Sequence, residues 1–244
     1  MIEQAIEIKT ADGAADGFIY EPEGTTVRAG VIHLTDIMGI RPSHVQMARR
    51  LADEGYIVLL PNLFYRTGRP PLFDFQPQIG EERTMKRFGE LRGPLTPDAV
   101  ERDVGAYVDF LCAHPGVKGD IGVVGYCFAG SVAMRTAAAR PDKVAAAASF
   151  HGGHLYTKEP SSPHLLLPRI KARLLFGHAT QDQSMTEEAI KSFEEALAAW
   201  GGRYESETYP ARHGWCVPGM PVYDETQAER AFAKLKQLFA ETLG

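Results

Sequence analysis

The feature that most limits the fold is a rhythm, in which short apolar runs of strand length alternate with longer stretches of helical period. "AGVIHLT" (29–35) and "YIVLLPN" (56–62) are almost continuously apolar. A strand needs that pattern when both faces of its sheet are covered. Between them "PSHVQMARRLADEG" has helical spacing, with Ser43 and Gln46 at capping-box distance and Gly55 at the place of a C-terminal cap. "AIEIK" and "GFIYEP" predict an opening pair of strands around the turn-forming "TADGAAD". Further strands are expected at "DIGVVGY", "KVAAAASFHG", "ARLLFGHA" (172–179) and "RYESETYP", and helices at "FAGSVAMRTAAAR" and "TEEAIKSFEEALAAWGG". Thr96 and Pro97 open a helix that runs to about Cys112. A last helix sets Ala228, Phe232, Leu235, Phe239 and Leu243 on one stripe. The expectation is a single α/β domain over residues 1–244, with a mostly parallel sheet of about eight strands between two layers of helices.

One segment breaks the rhythm. Residues 63–95 hold five prolines or glycines by residue 80, several aromatics and a short helical stretch at "GEERTMKRFGEL". A long irregular excursion inside such a fold is usually functional, so a lid or binding loop is expected there.

Charge and composition narrow the partners. A net charge of −5 comes without the clustered basic face that nucleic acid requires, and no polybasic run suits an anionic membrane. No apolar run reaches the roughly 18 residues that cross a bilayer. The opening "MIEQAIEIKTADG" has neither the basic nor the apolar region of a secretory signal. A cytoplasmic monomer or small homo-oligomer is expected. Cys112, Cys127 and Cys216 form no C-x-x-C pair and read as free thiols of a reducing compartment.

In open α/β sheets, ligands bind beyond the C-terminal ends of the strands. There the chain presents Asp36 after the third strand, Cys127 after the fifth, and His151 and His154 after the sixth. Asp182 follows the seventh and His213 the eighth. "GVVGYCFAGSVAM" (122–134) has the strand–turn–helix form of a nucleophile elbow, with Cys127 at the tip and Ala129 where a second glycine is usual. A thiol there gains from the helix N-terminus. The N–H of Phe128, with that of Ile37 after the third strand, would form an oxyanion hole. The order nucleophile, acid, histidine then selects His213, because no other of the eight histidines lies downstream of Asp182. Asp182 would orient that imidazole, or else cap the helix beginning near Thr186. "HGGH" (151–154) lacks the i, i+4 spacing of a helical metal motif, so no metal is expected. His151 is placed instead at the rim of the substrate pocket. His33, inside an apolar strand, reads as a core or near-site residue.

Taken together, these residues resemble the dienelactone hydrolase family of α/β-hydrolases. The likeness runs over nearly the whole chain and rests on "LTDIMGIRP", "ADEGYIVLLPNLF", "GVVGYCFAGS" and the Asp182 and His213 loops. It implies an eight-stranded sheet with an antiparallel second strand and no metal or organic cofactor. The implied activity is hydrolysis of small-molecule carboxylic esters or lactones through a cysteine acyl-enzyme. It also implies that the carboxylate after the third strand helps to activate the thiol. The family has glutamate there; Asp36 is one methylene shorter, which leaves its reach to Cys127 open. Family members that degrade dienelactone hold the substrate carboxylate with arginines. One of them matches Val217 here, and the other matches Arg83 or Arg87. With one clamp missing, another ester, lactone or thioester fits equally well. Two alternatives stand beside this reading: a thioesterase or acyltransferase using the same triad, and a non-catalytic binding or redox-sensing protein on the same fold.

Overall fold

Strands made almost wholly of apolar and small residues end up dry on both faces. In the computed structural model, which describes residues 1–24 and 26–244, every residue of β3 (Gly30–Leu34), β4 (Ile57–Pro61) and β5 (Ile121–Tyr126) is buried. With β1 (Ile2–Thr10), β2 (Gly13–Glu21), β6 (Val144–Phe150), β7 (Arg173–Gln181) and β8 (Tyr204–Arg212) they form one eight-stranded sheet. Its order is β1-β2-β4-β3-β5-β6-β7-β8. β2 pairs antiparallel with both neighbours, and every pair from β4 onward is parallel.

Helices cover both faces. α1 (Pro42–Asp53) and α6 (Glu225–Leu243) bury Leu51, Ala228, Leu235 and Phe239 in one core. α2 (Glu82–Arg92), α3 (Pro97–Cys112), α4 (Ala129–Ala139) and α5 (Glu187–Trp200) bury Leu91, Val104, Ala133 and Phe193 in the other. On α6, Ala231 and Leu238 complete the buried face, while Phe232 and Leu243 are only half-buried. No helix among the described residues is long and apolar enough to cross a membrane.

Local signals explain most boundaries. The Thr96 side chain accepts the Ala99 N–H at the start of α3, and Gly55 leaves α1 at φ +102°. The capping box expected from Ser43 and Gln46 does not form. α1 begins earlier, with Arg41 at the N-cap and no side-chain cap. Pro42 takes the first helical position, where its fixed φ fits and its missing N–H costs nothing, so Ser43 already lies inside the first turn. At α5 the cap is Thr186, which accepts the Ala189 N–H, and Asp182 is left free for another role.

Candidate active site

The turn between β5 and α4 holds Cys127 at φ 58°, in the left-handed region that side-chain-bearing residues rarely occupy. Three close approaches force the turn. A Cβ on Gly125 would lie 2.0 Å from the Ala129 carbonyl oxygen, and one on Gly130 would lie 2.2 Å from Ser149 Oγ and 2.8 Å from Gly152 Cα. The tight glycine of this elbow is therefore Gly130, which is why Ala129 is tolerated one residue earlier. The Cys127 carbonyl accepts the N–H groups of Gly130 at 3.0 Å and Gly153 at 3.3 Å.

Two later loops meet this turn. His213 follows β8 and directs Nε2 to Cys127 Sγ at 3.1 Å, while its Nδ1 lies 2.7 Å from Asp182 Oδ2. Asp182 follows β7 and is buried. Its Oδ1 accepts the Ser184 hydroxyl at 2.6 Å and the Ser184 N–H at 2.8 Å. Burial alone would lower the pKa of His213. Its hydrogen bonds to Asp182 and Cys127, with the charges behind them, outweigh that and push it up to about 10. For Asp182, burial works upward, but His213 and Ser184 hold its carboxyl below the ordinary range. Ser184 carried no recognisable signal in the sequence.

His151 does not stand at a pocket rim. It is 1% exposed, beneath the Cys127 turn, because β6 ends directly beside β5 and carries it into the sheet layer. Its Nδ1 accepts the Cys127 N–H at 3.1 Å, and its ring meets that of His213 edge-on with centroids 4.9 Å apart. Burial, with His213 alongside, holds its pKa down to about 3.

Asp36 is engaged elsewhere. Arg41 grips both its oxygens at 2.6 and 2.7 Å, Met38 N–H donates to Oδ1, and the Asp36 N–H donates to His44 Nε2 at 3.3 Å. These contacts use up the short carboxylate, and no hydrogen bond joins it to Cys127 among the described residues. His33 lies behind it, buried, with Nε2 2.9 Å from His44 Nδ1.

A cleft of about 1590 Å³ opens over Asp182 and His213, with walls drawn from within residues 38–43, 71–79, 180–187 and 212–222. The irregular excursion contributes Leu72, Phe73, Phe75 and Ile79 to it. Neither Arg83 nor Arg87 lines the cleft. Arg83 pairs with Asp74 on the surface, and Arg87 is spent on the Leu72 carbonyl and Glu90. The arginines that do line it are Arg41 and Arg212, and Val217 is fully buried. No three His, Cys, Asp or Glu side chains gather as a metal site among the described residues.

A sheet of this order, with helices on both faces and these loops at its C-terminal edge, is an α/β-hydrolase fold. The Dienelactone hydrolase family profile matches residues 15–243, and the chain belongs to that family. It is 30% identical over 180 residues to the carboxymethylenebutenolidase of Rhodococcus opacus, a match spanning 73% of this chain and 66% of that protein. Carboxymethylenebutenolidase 1 of Cupriavidus pinatubonensis is 25% identical over 244 residues, 98% of this chain and 97% of the relative. A solved structure assigned to the dienelactone hydrolases, from Klebsiella pneumoniae, superposes with a TM-score of 0.86 at 22% identity and 98% coverage of each chain.

Proposed function

We propose that the protein hydrolyses carboxylic esters or lactones through a thioester on Cys127, with His213 and Asp182 completing a triad. The observation that carries this reading is the unbroken line of contacts from Cys127 Sγ through His213 to Asp182, at 3.1 and 2.7 Å. The raised His213 pKa favours an imidazolium directed at the Cys127 sulfur, so the proton that the leaving oxygen needs is already in place. Membership of a family named for a lactone hydrolase points to the same chemistry, and the apolar walls of the cleft suit a carbon-rich substrate.

The thiolate attacks the carbonyl carbon and a C–S bond forms, while the carbonyl electron pair moves onto oxygen. The N–H groups of Phe128 and Ile37 receive that oxyanion; neither donates a hydrogen bond elsewhere among the described residues. Such a donor typically lowers the barrier by about 2.7–4 kcal/mol. As the carbonyl re-forms, the C–O bond breaks and His213 gives its Nε2 proton to the leaving oxygen. Neutral His213 then takes a proton from water as the water oxygen attacks the thioester. The C–S bond breaks, the acid leaves, and thiolate and imidazolium are restored. Asp182 steadies the imidazole in both halves of the cycle.

The test is turnover of a panel of aryl esters, lactones and thioesters by wild type, Cys127→Ala and His213→Ala. Each variant is expected to lose at least about a thousandfold in kcat. A Cys127→Ala protein that keeps its rate would overturn the nucleophile, and thioester turnover alone would move the assignment to a thioesterase.

A further inference from the structure

The "HGGH" loop lacks the i, i+4 spacing of a helical metal motif, yet each of its four residues is placed under constraint. His151 and His154 both occupy left-handed backbone, at φ 39° and 53°, a conformation uncommon outside glycine. A Cβ on Gly152 would sit 2.2 Å from Ser149 Oγ, and one on Gly153 would sit 2.7 Å from Ser184 Oγ. The loop thus runs in contact with β6 on one side and the Asp182–Ser184 turn on the other. Its hydrogen bonds go to the same two places. His151 Nδ1 accepts the Cys127 N–H, Gly153 N–H donates to the Cys127 carbonyl, and His154 N–H donates to the Ser184 carbonyl at 2.8 Å.

Cys127 is held through both of its backbone polar groups. Its N–H is shared between the Phe150 carbonyl and His151 Nδ1, each at 3.1 Å, and its carbonyl is bridged to Gly153. A left-handed residue persists only when its surroundings over-determine it. Here the over-determination comes largely from one loop. That loop also fixes Ser184, and Ser184 fixes Asp182.

We propose that residues 151–154 are the positioning element of the site, and that the His151 ring, by accepting the Cys127 N–H, sets the handedness of Cys127 and so aims Sγ at His213. The inference rests on Cys127 being the nucleophile. His151 is 1% exposed, with Nδ1 turned to the Cys127 N–H beneath the elbow, so it does not reach substrate. It is a positioning residue, and its loss should lower kcat and leave KM unchanged.

His151→Asn and His151→Phe distinguish this role from mere filling of space. Asparagine carries an acceptor at the same distance from Cβ as Nδ1 and tolerates left-handed backbone, whereas phenylalanine keeps the ring and loses the acceptor. Two readouts apply: kcat and KM on an activated aryl ester, and the pH dependence of Cys127 alkylation by iodoacetamide, mapped to its peptide. The Asn variant is expected within about threefold of wild type in both, and the Phe variant about tenfold or more lower in kcat and alkylation at neutral pH. In the Phe variant the alkylation rate should stay below that of wild type across the profile, because Sγ is no longer aimed at His213. If the Phe variant does not fold, His151→Gly replaces it, since glycine accepts φ 39° without strain. A folded Phe or Gly variant that behaves as wild type overturns the proposal, as does an Asn variant that falls as far as Phe. Alkylation needs no substrate. A wild type that hydrolyses nothing but shows this alkylation pattern would sink the hydrolase reading and leave the positioning role standing.

Discussion

Ser184 shows how much of the site hangs on a residue outside the proposed triad. It offers Asp182 two donors, a hydroxyl at 2.6 Å and a backbone N–H at 2.8 Å. Ser184→Ala removes the first and keeps the second. A hydrogen bond to a charged group contributes about 1.5–3 kcal/mol, and only part of that reaches the transition state. A fall in kcat of about five- to tenfold, with KM unchanged, is expected in steady-state assays. Asp36 carries the opposite lesson. A carboxylate gripped by Arg41 and faced by His44 is deeply stabilised as the anion despite its burial. It already has its partners and is poorly placed to take a proton from a thiol.

The strand–turn–helix unit of β5, Cys127 and α4 is governed by close backbone approach. Gly125→Ala drives a methyl to 2.0 Å from the Ala129 carbonyl oxygen, an atom that cannot move without dragging the turn. It is expected to cost more than about 2 kcal/mol in urea unfolding, through overpacking against backbone. Ala129→Gly, at the position where the motif usually has glycine, should cost less than about 1 kcal/mol. Elements of this kind were the most legible in the sequence. Continuous apolar runs marked the strands, Thr96-Pro97 and Gly55 marked helix ends, and chain order singled out His213 once Asp182 was placed after the seventh strand. Features that depend on packing between distant segments were not legible. The capping box at Ser43 failed because Pro42 is the better first helical residue. His151 was expected at the pocket rim because it follows the sixth strand, but the parallel pairing of Tyr126 with Phe150 draws it under the elbow. Arg83 and Arg87 matched by position along the chain, and their side chains turned out to be tied to Asp74, Leu72 and Glu90 within the excursion and α2.

At the scale of the whole molecule, the buried histidines set how the fold responds to pH. His151 and His178 are held neutral by burial, with pKa values pressed down to about 3 and about 4. The unfolded chain binds their protons from about pH 6.5 downward, so stability falls as pH drops from there through the folded-state values. His213 works the other way. Its pKa is raised from 6.5 to about 10, so its contribution is complete below 6.5 and is lost as pH rises through 10. The melting temperature measured by calorimetry should peak near neutrality and decline on both sides. His178→Leu, which removes a ring whose two nitrogens lack partners among the described residues, should flatten the acid limb alone, and Asp182→Asn should flatten the alkaline one. The sheet order adds a further consequence. β8 is an outermost strand, paired among the described residues with β7 alone and mostly half-exposed along its length, and its end delivers His213. Local opening is cheapest at such an edge. On heating, the Cys127–His213 contact is therefore expected to open while the central strands are still intact, so a thermal scan should lose activity before the far-ultraviolet signal and regain it on cooling.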